Sequence, residues 1–103
     1  MNPDPKGKAG KLKPQLQLLP PVFLVATAKV LEHGVKKYGK YNWRASKVEC
    51  QTYVGAMLRH LLAWQEGEDL DPESKESHLA HVAASVAILL DAQKHGTLID
   101  NRP

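Results

Sequence analysis

Cysteine is almost missing from this chain. Cys50 is the single one among 103 residues, which excludes an internal disulfide and suits a reducing compartment. Aromatic residues are scarce too, at 6%, so aliphatic side chains and alanine must fill the core. No apolar run approaches the roughly 20 residues that span a bilayer, so no membrane partner is expected. The opening residues, MNPDPKGKAGKLKP, hold no apolar signal core. Secretion is therefore not expected, and a cytoplasmic location is. Several catalytic signatures are absent as well. There is no Gly-rich phosphate loop of the G-x-x-x-x-G-K type, no His-Asp dipeptide and no nucleophile elbow. Internal repeats and useful lengths of strand alternation are also missing.

What is present fits one globular domain with a thin core. The hydrophobic share is 43% and the charged share 24%. A net charge of +3 and a pI near 9.1 permit an anionic partner without identifying one. Residues 1–14 read as a flexible basic arm, with Lys6, Lys8, Lys11 and Lys13 among Gly and Pro. Residues 15–97 read as a single all-α domain, and 98–103 as a short tail. Gln15 to Leu19 form an extended lead-in, which Pro20-Pro21 stops. Proline is tolerated in a first helical turn, so a helix is expected from about Val22 to His33, ended by Gly34. Its apolar positions are Phe23, Ala26, Val30 and Leu31. Ser46 and Glu49 have capping-box spacing ahead of a second helix, about Lys47 to Glu66. Tyr53, Val54, Met57, Leu58, Leu61 and Leu62 would be its buried stripe. Asp71-Pro72 would start a third helix reaching about His95, with Gly96 beyond. Leu79, Val82, Ala83, Val86, Leu89 and Leu90 would be its apolar face. The fold class is therefore a small three-helix bundle.

Two stretches carry chemistry. Residues 35–46, VKKYGKYNWRAS, interleave Lys36, Lys37, Lys40 and Arg44 with Tyr38, Tyr41 and Trp43. Aromatic faces stack on bases and cations pair with phosphate. The same residues would serve equally if Tyr38 and Trp43 only anchored the loop. The second stretch, Met57 to Asp91, holds three of the five histidines: His60, His78 and His81. Glu66, Glu68, Asp69 and Asp71 lie between them. Imidazole nitrogens and carboxylate oxygens are the usual ligands of a divalent metal. A solvated helix–loop–helix turn would look similar. His78 and His81 are three apart and share a helix face, with Ser74 and Ser85 on it. Tyr53, Ala56, His60, Ala63 and Trp64 share one flank of the second helix. Antiparallel packing across the short loop would bring His60 to His78 and His81.

A resemblance covers about residues 13–92. It rests on Lys13-Pro14, the double proline, the Lys37-Tyr38-Gly39 and Asn42-Trp43 block, Arg59-His60, Gly67-Glu68, Asp71-Pro72-Glu73-Ser74, and His78 with His81. Together these resemble the bacteriophage dATP/dGTP diphosphohydrolase N-terminal domain family, itself similar to the all-α (MazG-like) nucleotide pyrophosphohydrolases. The chain departs from the family pattern at Lys75, where glycine is usual, and at Ala84-Ser85, where Asn or Cys is. The wider superfamily holds its metals with E-x-x-E and E-x-x-D helices, where this chain offers histidines.

The resemblance implies hydrolysis of dATP or dGTP to monophosphate and pyrophosphate, in the host cytoplasm if a phage encodes the chain. Taken with the histidine and carboxylate cluster, it gives an expected divalent cofactor, Mn²⁺, Co²⁺ or Mg²⁺, held by His60, Asp71, His78 and His81. Glu66, Glu68 and Arg59 would be catalytic. Lys37, Lys40 and Arg44 would bind phosphate, and Tyr38, Asn42 and Trp43 the base. It also implies a homo-oligomer, a dimer or tetramer, since three short helices present more apolar face than one monomer covers. A non-enzymatic module contacting nucleic acid through the basic arm and the aromatic loop is the alternative.

Overall fold

The computed structural model describes residues 4–103. The all-α expectation holds, with one small addition. The elements are α1 (Pro5–Gly10), a 3-10 turn (Leu16–Leu18), α2 (Pro21–Tyr38), α3 (Asn42–Ala45), β1 (Val48–Glu49), α4 (Cys50–Gln65), α5 (His78–Lys94) and β2 (Leu98–Ile99). The first three residues of the expected basic arm lie outside the described residues. From Asp4 the arm is helical, because the Asp4 carboxylate accepts from the Lys6 and Gly7 amides and caps α1. The lead-in is the 3-10 turn and not an extended segment.

Helix α2 corrects the expected stop at Gly34. That glycine is helical, and the helix runs on to Tyr38. Glycine permits a break without forcing one. The break comes at Gly39, where φ is +88° and the amide still bonds to the Val35 carbonyl at 2.9 Å.

The capping box at Ser46 and Glu49 is not formed either. Val48 and Glu49 pair in parallel with Leu98 and Ile99, so α4 begins later, at Cys50. Its first turn is capped by a distant residue. Asn101 Oδ1 accepts from the Gln51 amide at 3.0 Å and lies 3.2 Å from Cys50 Sγ. The short tail thus closes the open end of the bundle.

Helix α5 starts at His78 and not at Pro72. Asp71 does cap a turn: its carboxylate accepts from the Ser74 amide at 2.8 Å, and its carbonyl from the Lys75 amide at 2.8 Å. Lys75 has φ +64°, so the turn cannot propagate. A bridge between Leu70 and Ser77 closes the loop, and the Ser77 hydroxyl then caps α5.

α4 and α5 form an antiparallel hairpin, and α2 lies against α5. The buried contact is narrow and alanine-rich: Val30, Ala80, Ala84 and Ala92 are buried with Thr27. The expected apolar stripes are only partly covered. Phe23, Leu58, Leu61, Leu62, Leu79, Val86 and Leu90 remain exposed. Small alanines let the helices approach closely, and the larger residues beside them then point outward. Among the described residues, no helix is long and apolar enough to cross a membrane.

Candidate functional site

The hairpin brings its histidines together at the loop end. His60 Nδ1 lies 2.8 Å from His78 Nδ1. The His60 ring stacks on His81 with centroids 4.3 Å apart and planes 4° from parallel. His78 is only 3% exposed, and its Nε2 meets Glu68 Oε1 at 2.6 Å. A neutral His78 that donates Nε2–H to Glu68 would present its Nδ1 lone pair toward His60. Donor atoms of His60, Asp71 and His78 all lie within 4.8 Å of one another. Two imidazoles and one carboxylate can hold a borderline divalent ion, and Glu68 behind His78 is the usual outer partner that orients a ligating imidazole. His81 stands outside this trio, with its Nε2 2.7 Å from the Ser74 hydroxyl.

The surroundings tune these groups. Burial holds His60 below the ordinary histidine value, helped by His78 and Arg59 and opposed by Asp71. His81 is also lowered, first by burial and then by His60. Burial pushes Asp71 up, but hydrogen bonds from the Ser74 amide and hydroxyl, with His81 and His60 nearby, leave it lowered overall. At neutral pH His60 and His81 are therefore neutral beside the Asp71 carboxylate.

This arrangement has a sign-definite consequence for the metal-free chain. In the unfolded chain both histidines titrate near 6.5, and in the fold they titrate lower. The unfolded state therefore binds protons first as pH drops. Stability present above about 6.5 should be lost as pH falls from there towards the folded values, and Asp71 extends the loss below 3.8. Melting in chelator between pH 7.5 and 5 should show a falling midpoint. A flat profile would mean the histidines are not held neutral.

His60, Asp71 and His81 form one wall of a cavity of about 440 Å³. Lys37, Tyr38, Asn42 and Trp43 line it from α2 and α3, with Tyr53, Ser74, Ser85 and Ile88. Lys37 Nζ spans the rim to Glu73 Oε1 at 3.0 Å, and that hydrogen bond holds the ammonium above its ordinary value. His33 lies 3.9 Å from Glu76 on the same rim. Two sequence candidates for phosphate are engaged elsewhere. Arg44 donates to both Asp91 oxygens, at 2.6 and 3.0 Å, and stacks on Tyr41 with 3.9 Å from Cζ to the ring. Lys40 sits 5.5 Å from the same ring. Trp43 Nε1 also donates to Asp91, at 2.7 Å. Arg44 and Trp43 together hold Asp91 well below the usual carboxylate range. Arg59 on α4 and Glu66 just past its end are exposed and do not line the cavity. Of the three catalytic candidates, only Glu68 joins the histidine cluster.

A family model described as "dATP/dGTP diphosphohydrolase, N-terminal" matches residues 3–102. The chain belongs to that family. A curated relative, the "dATP/dGTP diphosphohydrolase" of Salmonella phage PMBT28, is 34% identical over 91 residues. The aligned region covers 88% of this chain and 29% of that protein, so the chain spans less than a third of its relative's length. No solved structure matches the chain. Lys37, Tyr38, Asn42 and Trp43 line the cavity, Asp71 and Ser74 form its floor loop, and His60 and His78 face each other. Tyr53, Ser85 and Ile88 were not singled out as site residues from sequence, although helical spacing places Tyr53 on the flank of His60 and Ser85 on the face of His81.

Proposed function

We propose that the chain is the catalytic domain of a metal-dependent nucleotide pyrophosphohydrolase that cleaves dATP or dGTP to monophosphate and pyrophosphate. The observation that carries this reading is the convergence of His60, Asp71 and His78, with His60 and Asp71 at the wall of a cavity that Lys37 also lines. The family's name supplies the substrate class. A divalent ion bound there would polarise the phosphates and the attacking water, and nitrogen ligands favour Mn²⁺ or Co²⁺ over Mg²⁺. Water adds to the α-phosphorus, and its bond to the bridging oxygen of pyrophosphate breaks. His81, kept neutral by burial and lining the cavity, would donate Nε2–H to Ser74 and take the proton of that water on Nδ1. Ser74 fixes its ring through the bond to Nε2. Lys37, once released from Glu73, offsets the charge growing on pyrophosphate.

A pyrophosphate-release assay across the common deoxynucleoside triphosphates tests this, with Mn²⁺, Co²⁺ or Mg²⁺ added. Release from dATP or dGTP, faster with Mn²⁺ than Mg²⁺, is expected. No release with any metal would end the reading.

We also infer that two or more copies assemble. The chain exposes 7983 Å². A compact monomer of its 11.4 kDa mass would expose about 5,800 Å². The exposed N-terminal arm supplies part of that excess, and the uncovered leucines on α4 and α5 are the surface a second copy would bury. Light scattering at micromolar concentration should report at least a dimer, and an 11.4 kDa particle would contradict it.

A further inference from the structure

Away from the histidines the cavity changes character. Tyr53 lies seven residues before His60 on α4, about 10 Å along the helix axis. Ser85 and Ile88 lie four and seven residues after His81 on α5, about 6 and 10 Å along it. The helices are antiparallel: His60 meets His78 and His81 at one end, while Cys50 and Val54 share a second cavity with Leu89 and Leu90 at the other. Both distances therefore run the same way from the metal end. Ser85 falls at an intermediate level, and Tyr53 and Ile88 at a deeper one. All three line the cavity that His60 and His81 wall, as does Asn42. Ala84, 3% exposed, occupies the wall between them with only a methyl group.

The polar groups here are uncommitted. Among the described residues, no side-chain hydrogen bond engages the Tyr53 hydroxyl, the Asn42 amide or the Ser85 hydroxyl, though all three residues line the cavity. Burial pushes the Tyr53 phenol up, so it remains a donor at neutral pH. Trp43 differs. Its indole N–H is taken by Asp91 and it is 9% exposed, so it walls the cavity and offers little free face.

We propose that this end of the cavity is a nucleoside subsite in which Tyr53 and Ile88 flank the base, Asn42 reads its polar edge and Ser85 faces the sugar. The proposal rests on the reading that phosphates lie at His60 and Asp71. In a nucleotide the sugar separates the α-phosphate from the base. Groups about one helical turn from the phosphate end therefore meet the sugar, and groups at two turns meet the base. The subsite takes a flat heterocycle between an aromatic face and an aliphatic one.

The test uses no turnover and no metal. The full chain in chelator is titrated with dAMP, dGMP and inorganic phosphate by calorimetry, with saturation-transfer NMR reporting protein contact to base protons. Base protons should receive saturation, and a nucleoside monophosphate should bind more tightly than phosphate. Tyr53→Leu should weaken that binding about tenfold or more, the effect of losing one stacking partner, while Tyr53→Phe should keep it. Should Tyr53→Leu fail to fold, Asn42→Ala should weaken dGMP and leave phosphate unchanged. Equal affinity of a folded Tyr53→Leu, unchanged dGMP affinity in Asn42→Ala, no saturation at base protons, or phosphate binding as tightly as dGMP would each overturn the subsite. The separate pyrophosphate assay decides the enzymatic reading, so the two can fail independently.

Discussion

His60→Ala should abolish saturable manganese binding and lower pyrophosphate release on the order of 10³-fold, with the fold intact. The magnitude follows from the several kcal/mol a metal contributes by stabilising charge in the transition state. His60 is the cleanest member of the trio to remove. It is half-buried on the rim of the cavity, so alanine leaves no sealed void. His78→Ala would be harder to interpret, because that ring is 3% exposed and its loss strands Glu68 and opens a cavity in the hairpin. His81→Ala should act differently again. His81 stands outside the trio, so metal affinity should survive while turnover falls. Activity and metal affinity of His60→Ala, measured together, check the prediction. A variant that binds manganese normally would remove His60 from the site.

Trp43→Ala should cost about 3–5 kcal/mol of stability, the range for deleting a large buried aromatic. From sequence, Trp43 could equally stack on a base or anchor its loop. The structure favours the anchor. The side chain is buried, its indole N–H is bonded to Asp91, and Tyr41 packs edge-on at 5.6 Å. Arg44 holds the same carboxylate, so a single acidic residue on α5 fixes the whole of α3. Because α3 also carries Asn42 and walls the cavity, the loss would be felt at the site through disorder. Urea unfolding of wild type and variant measures it. Full stability with weakened nucleotide binding would restore the stacking role.

The helices and their pairing were legible because apolar spacing and proline placement are local signals. Pro20-Pro21 starts α2 where expected, and the short acidic loop makes α4 and α5 an antiparallel hairpin. Helix ends were not legible where distant residues decide them. The cap of α4 comes from Asn101, half the chain away, and no window around Ser46 contains that information. The turn at Asp71 ends because Lys75 adopts a left-handed conformation, which its side chain does not announce. The same holds at the site. Residue type and spacing brought His60, His78 and Asp71 to notice, but the commitment of Arg44 and Trp43 to Asp91 depends on α3 packing against α5. Spacing measures what one helix presents, and only the packed structure measures what another element has already taken.

Metal binding by His60, Asp71 and His78 is what the proposed function requires. Pulsed electron paramagnetic resonance of manganese bound to the full chain tests it most directly, because it reads nitrogen coordination without relying on turnover. Nitrogen-14 couplings from two imidazoles at one saturable manganese site are expected, and His60→Ala should leave no saturable site. Saturable manganese with no nitrogen coupling, or a spectrum unchanged by His60→Ala, would contradict it.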